Sequence, residues 1–261
     1  MSWADIVRAD FAVPTEAMPE TLEQLTEALR SPDPVERDEQ AYPILATWIR
    51  RGVLTEDQRV VLGDRMVRRF TDDAIQARAF APLILASIVS VGTYRPAWFT
   101  AFAAWYPAET DTRGHDPRLG WLHAVAHGAD LLGVMGGDRR VDAEKALALS
   151  VDRMIGPTNH VWRDQEDDRL AVAQAHILAR EDLSETTAVR WLSPIDALLD
   201  EAEPGPVPAQ ASNTMRTLRM LYLLTDRGVR GTDGDVHGLT HADAVRDRLT
   251  ELMARFTPWA W

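Results

Sequence analysis

Helix punctuation recurs about every two dozen residues along this chain, roughly the span of one helix and its turn, and no other feature limits the fold so strongly. Pro19 opens a stripe of Leu22, Leu25 and Leu29, proline being well suited to a first helical position. Asp33-Pro34 opens a second helix that carries Leu45, Trp48 and Ile49 to a stop at Gly52. Pro43 should kink or split it, because proline removes an interior donor. Thr55 and Gln58 have the spacing of a capping box ahead of a helix to Phe70, and Asp73 and Gln76 repeat it ahead of an apolar helix through Val91. Pro96 starts a helix with Trp98, Phe102 and Trp105, which Pro107 ends.

Further helices are expected over 119–134, closed by Gly136-Gly137, over 141–155, closed by Gly156-Pro157, and over 166–180 and 184–200, the last kinked at Pro194. Residues 202–210, containing Glu203-Pro204-Gly205-Pro206-Val207-Pro208, are composed like a linker. The two helices beyond it, around 218–224 and 240–256, are too few to bury a core and should dock on those before them. No alternating strand pattern stands out. The expectation is one all-α domain over residues 1–261, an irregular α-solenoid-like (HEAT-like) stack of helix pairs with about eleven helices, an irregular bundle being the other arrangement.

Composition narrows the chemistry. The 261 residues include no cysteine, which removes disulfides, thiolate metal sites and a cysteine nucleophile, and fits an intracellular protein. A formal charge of −12, with 27 arginines scattered among acids, disfavours nucleic acid and anionic lipid as partners. Lys145 is the only lysine and sits in a polar run, as a solvated side chain would. Met1-Ser2-Trp3-Ala4-Asp5 lacks the basic start and apolar run of an export signal, so a cytoplasmic location is expected. The longest uncharged stretch, between Arg78 and Arg95, falls short of a membrane span and reads as a buried helix.

One segment carries polar groups against the grain of its surroundings. From Leu119 to Met135 the chain is apolar or small on every side except at His123, His127 and Asp130. At about 100° per residue these three share a sector of roughly 60° on one helix, so they form one site or one network. Histidines at i and i+4 can present two nitrogens to a divalent metal, with Asp130 as ligand or orienter. Ala124 stands where a zinc-protease helix needs its glutamate, which removes that chemistry. The bland alternative is a packing network in which Asp130 accepts a hydrogen bond from His127.

Two flanking segments supply candidate partners. Asp111 and Arg113 lie in the loop before this helix, where a plain turn with a surface ion pair would also account for them. Asp168 and Arg169 adjoin an apolar run, and Trp162 with His160 lies just before them, able to roof a pocket. Glu166 and Asp167 suit a helix dipole without further role. His115, His176, His237 and His241 read as surface or capping residues.

The run Gly120-Trp121-Leu122-His123-Ala124-Val125-Ala126-His127-Gly128-Ala129-Asp130, with Asp111-Thr112-Arg113-Gly114 before it and Glu166-Asp167-Asp168-Arg169-Leu170-Ala171 after it, resembles a bacterial family known as domain of unknown function 2785. The similarity runs from about Arg37 to Leu224, taking in Arg37-Asp38-Glu39-Gln40-Ala41-Tyr42 and Leu218-Arg219-Met220-Leu221-Tyr222. The resemblance implies a helical, repeat-like fold without an established activity, and that His123, His127, Asp130, Arg113 and Asp168 belong to the family's pattern.

Three functions stay open: a helical module binding a small molecule or peptide, a metal-assisted or histidine-based hydrolase in which Arg113 steadies an anionic substrate, and an interaction or structural protein. A helical-repeat DNA glycosylase is a fourth, against which the acidic charge argues.

Overall fold

Local signals set many of the helix boundaries. The computed structural model describes residues 2–14, 18–201, 205–231 and 233–260, and it is predominantly α-helical. By packing, the chain falls into two compact units, the first made of Met1–Trp105 and Arg113–Leu131, the second of Tyr106–Thr112 and Leu132–Trp261.

The first unit opens with α1 (Trp3–Arg8), capped by a Ser2–Asp5 box, and α2 (Met18–Ala28). The helix expected from Pro34 to Gly52 is divided. Val35–Ala41 forms a π-helical stretch in which the Tyr42 N–H reaches back to the Arg37 carbonyl, and α3 (Tyr42–Arg50) follows with Pro43 in its first turn. Pro43 has no N–H to donate and its ring crowds the carbonyl four residues back, so the preceding turns widen and α3 starts afresh.

Helix α4 (Glu56–Arg69) begins at the expected Thr55–Gln58 box, with both reciprocal hydrogen bonds made. Helix α5 (Ile75–Ser90) is buried nearly all round, but the Asp73–Gln76 box is not its cap: Ala74 occupies that position, and the Ala74 N–H is taken by Asp72 at 2.8 Å. Asp72, one residue earlier than expected, thus turns the chain into the helix through the amide two residues on. Helix α6 (Pro96–Trp105) packs on α4, while α5 lies against α3 and α4. Where α4 meets α6, Gly63 lets the buried indole of Trp98 lie against the backbone, and the Trp98 Nε1–H is fixed on Asp64 at 2.7 Å. Among the described residues no helix is long and apolar enough to cross a membrane.

A short antiparallel hairpin, β1 (His115–Asp116) with β2 (Gly120–Trp121), precedes α7 (Ala124–Gly137). The second unit holds α8 (Ala143–Met154), capped by Asp142, and α9 (Glu166–Leu178). The expected 184–200 helix is broken into α10 (Glu185–Arg190) and α11 (Ser193–Asp200), with Pro194 at the start of α11 instead of a kink within one rod. After residues 202–204, which lie outside the described residues, come α12 (Ala209–Arg227), the hairpin β3 (Val229–Arg230) with β4 (Val236–His237), and α13 (Ala242–Phe256). The two hairpins were not expected, because two-residue strands are too short to show alternation.

The helices beyond the proline-rich segment dock on those before it, as their shortage of apolar surface requires. Helix α12 packs most extensively on α9, passing over α10 and α11, and it also meets α8 and α13. Buried arginines tie the loops of this unit. Arg153 donates to the carbonyls of Tyr106 and Glu109 at 3.0 and 2.8 Å, and Arg180 donates to those of Gly136 and Val141 at 2.9 and 2.8 Å.

Two outcomes follow from this packing. In Gly63→Ala the new methyl group would overlap the Trp98 ring, which its bond to Asp64 holds in place, so denaturant unfolding should show a loss of about 1–3 kcal/mol. Arg180 also grips Asp182 with Nε and Nη2, at 2.9 and 2.7 Å, and its hydrogen bond is the main cause that lowers the Asp182 pKa from 3.8 to about 2. A depressed folded-state pKa gives stability that is full above pH 3.8 and is lost as the pH falls toward about 2. Urea titrations at stepped pH should show that acid loss in the wild type and a shallower one in Asp182→Asn.

Candidate functional site

The site in the first unit is built from the hairpin outward. Gly120 turns the chain with φ +73°, and a Cβ there would press on the Pro34 side chain. Glycine is thus required both by conformation and by space. Asp116 holds the turn from inside: its Oδ1 accepts the N–H groups of Arg118 and Leu119 at 2.9 and 3.0 Å, and these bonds lower its pKa. Its Oδ2 pairs with Arg113 at 2.5 Å.

Arg37 closes the hairpin from below. Its guanidinium is fully buried and donates to the carbonyls of Ser31 (2.8 Å), Leu119 (2.6 Å) and Trp121 (3.2 Å) and to Asp38 Oδ1 (2.7 Å). Its flat face lies over the Phe80 ring at 4.9 Å. Burial raises the Asp38 pKa even though Arg37 beside it pulls the other way.

This hairpin overturns the expected start of the central helix. Residues 119–123 are not helical, and α7 begins only at Ala124, because Leu122 and His123 both give their N–H groups to the Gly114 carbonyl at 2.8 and 3.1 Å. His123 sits in the left-handed region at φ 47°, and its carbonyl accepts the first helical bond, from the His127 N–H. The 100° spacing therefore applies from Ala124 onward, and His123 is placed by the loop.

The two imidazoles nevertheless come together. His123 and His127 are both buried, with ring centroids 5.6 Å apart and planes 24° from parallel. Trp121, 46% exposed, packs on His123 at 4.5 Å, and His115 meets the Trp121 indole edge-on at 4.8 Å. On the inner side His127 meets Phe80 at 5.2 Å, and its Nδ1 lies 2.9 Å from the Ala79 carbonyl. A carbonyl oxygen only accepts, so Nδ1 carries the proton, and Nε2 is the basic nitrogen of the neutral ring. That bond ties α7 to α5. Asp130 itself is half-buried.

Among the described residues no group of three or more His, Asp or Glu side chains is placed to hold a metal ion. His123, His127 and Asp130 do not form such a group.

The other expected residues belong to the second unit. The Asp111 N–H is held by the buried Glu109 carboxylate at 2.9 Å. Trp162 is fully buried, its backbone N–H on Asn213 Oδ1 at 2.9 Å. Asp168 and Arg169 are half-buried, and burial together with neighbouring Asp167 raises the Asp168 pKa. Glu166 and Asp167, assigned on sequence only to the helix dipole, are the more deeply buried acids. Burial raises the Glu166 pKa, and Asp167 pairs with Arg216 at 2.5 Å.

Arg37, Trp121 and His115 are the residues that sequence reasoning did not nominate for this site. The signal for Arg37 was its place beside Asp38 ahead of a proline, which is too common to single it out, whereas Trp121 lay in the marked segment itself. Arg37→Lys keeps a charge but loses the planar fork that reaches three carbonyls, so unfolding stability should fall by about 2–4 kcal/mol. Amide exchange at Leu122 and His123 should quicken with it; unchanged protection there would mean that the hairpin stands without the clasp.

No curated protein matches the chain, and no solved structure matches it. A family profile described as "Protein of unknown function (DUF2785)" matches residues 66–223, which takes in the hairpin, the imidazole pair, α8 to α11 and most of α12 but leaves Arg37 outside. Since that match covers more than half of the 261 residues, the chain belongs to the DUF2785 family.

Proposed function

We propose that this chain is a helical ligand-binding protein whose site is the imidazole pair of His123 and His127, with Trp121 as its outer margin and Arg113 and Asp130 as polar candidates nearby in the chain. The occupant is a small molecule or a peptide side chain. One observation carries the reading. His123, a residue with a Cβ, is held in the left-handed region, buried, between a half-exposed indole and an imidazole whose tautomer is fixed. Backbone strain of this kind is most often retained where a side chain must be aimed. Asp111, Trp162, Asp168 and Arg169 remain candidates within their own unit. Consecutive helix packing, α2 on α3, α4 on α5 and α8 on α9, supports a solenoid-type ancestry for the fold, although α9 with α12 breaks the sequence.

A structural reading is favoured by a different observation, the His127 bond to the Ala79 carbonyl, which ties α7 to α5. The two readings part at position 123. Asparagine tolerates the left-handed region better than most residues, so His123→Asn keeps the backbone while removing the imidazole. On the binding reading its stability stays within about 1 kcal/mol of wild type. Thermal-shift screening with amino acids, short peptides, nucleotides, sugars and small carboxylates should then find a class that raises the wild-type Tm but not that of His123→Asn or Trp121→Ala. If every class that shifts the wild type shifts both variants equally, or His123→Asn loses more than about 2 kcal/mol with no binding difference, the imidazole pair is packing.

A further inference from the structure

A second surface lies in the N-terminal part of the chain, before the residues that the family profile matches. Helices α2 and α4 enclose a groove of roughly 230 Å³ whose floor is Leu22, Thr26 and Leu62 and whose lip is Val61, 66% exposed. Its walls are mostly apolar, and its ends are charged. Glu23 and Asp57 line it, and Arg65, the cation among its lining residues, is bound by Glu23 and lies 3.5 Å from Glu27.

The charge around this groove is negative in balance: Arg65 and Arg69 engage Glu23 and Glu27, and Glu20, Glu56 and Asp57 stand in excess of them. Glu20, Glu23 and Glu27 fall at i, i+3 and i+7 along the exposed crest of α2, and Glu56 with Asp57 opens α4. On the other flank of α2 a shallow depression of roughly 470 Å³ is lined by Trp3, Glu27 and Glu36. Arg30 also lines it, but that guanidinium is engaged by both oxygens of Asp72, at 3.1 and 3.0 Å. An indole and the carboxylate of Glu36 in one depression suit a basic side chain. The arginines of both concavities are thus met by carboxylates, and further acids stand around them.

We propose that this face of α2 and α4 is a docking surface for an amphipathic segment of a partner protein, its apolar side chains seated against Leu22, Val61 and Leu62 and its flanking Lys or Arg side chains set against the acids of α2 and the start of α4. Charge complementarity selects this occupant: an acidic segment would be repelled, and a neutral one would leave the excess charge of Glu20, Glu56 and Asp57 unanswered. The inference does not rest on the imidazole site.

The test uses the full chain and two labelled helix-forming peptides, both with Leu at i, i+4 and i+7, one flanked by Lys and the other by Glu. Fluorescence anisotropy should show saturable binding of the Lys peptide, at least about 5-fold weaker at about 300 mM than at about 50 mM salt, and none of the Glu peptide. Val61→Arg, a change at an exposed position, should abolish it with Tm unchanged, and Asp57→Asn should weaken it about 2-fold. Equal binding of the two peptides, no binding of the Lys peptide, or wild-type binding by Val61→Arg would overturn the proposal. Self-association that Val61→Arg abolishes would overturn it as well, by making the occupant a second copy.

Discussion

The guanidinium of Arg37 is the interaction on which the site in the first unit depends. It gathers carbonyls from the turn before the π-helical stretch and from both sides of Gly120, and it lies on Phe80, which in turn meets His127. Through Trp121 the same group sets the ring that covers His123. A charge without water is costly, and here a partner carboxylate whose own pKa is raised by burial gives only part of the compensation. The carbonyl dipoles supply the rest, which makes the hairpin and the cation mutually necessary.

The second unit solves the same problem in the same way. Arg153 and Arg180 are buried against the carbonyls of loops at 106–109 and 136–141. A chain with 28 cationic side chains of which Lys145 alone is lysine has a supply of planar, multiply donating groups, and it spends several of them indoors. Lysine, with one compact ammonium, cannot bridge several carbonyls in a plane. The arginine bias is in part a device for anchoring irregular backbone.

Legibility in the sequence followed locality. The Thr55–Gln58 box formed because both partners lie within one turn, and the apolar run of α5 declared a buried helix. The start of α7 was misplaced because it is decided by Gly114 and by Arg37, the latter 82 residues from Leu119. An apolar run looks helical throughout when the group that bends its first five residues is so remote. The pairing of His123 with His127 survived that error, since a left-handed residue immediately before a helix still delivers its side chain beside the first turn. The deeper burial of Glu166 over Asp168 shows how little the order of three adjacent acids says about which one faces inward.

The two units are interleaved along the chain: the first needs residues up to Leu131, while Tyr106–Thr112 between its pieces already belongs to the second. During synthesis the ribosome must therefore release about half of the chain before the first unit can close, and the second waits for α12, because α9 has its main partner there. Contacts so distant in sequence slow folding and prolong the exposure of apolar helices such as α5. No single cut can separate the units, so a truncation at any one point leaves at least one of them without a piece of its own core.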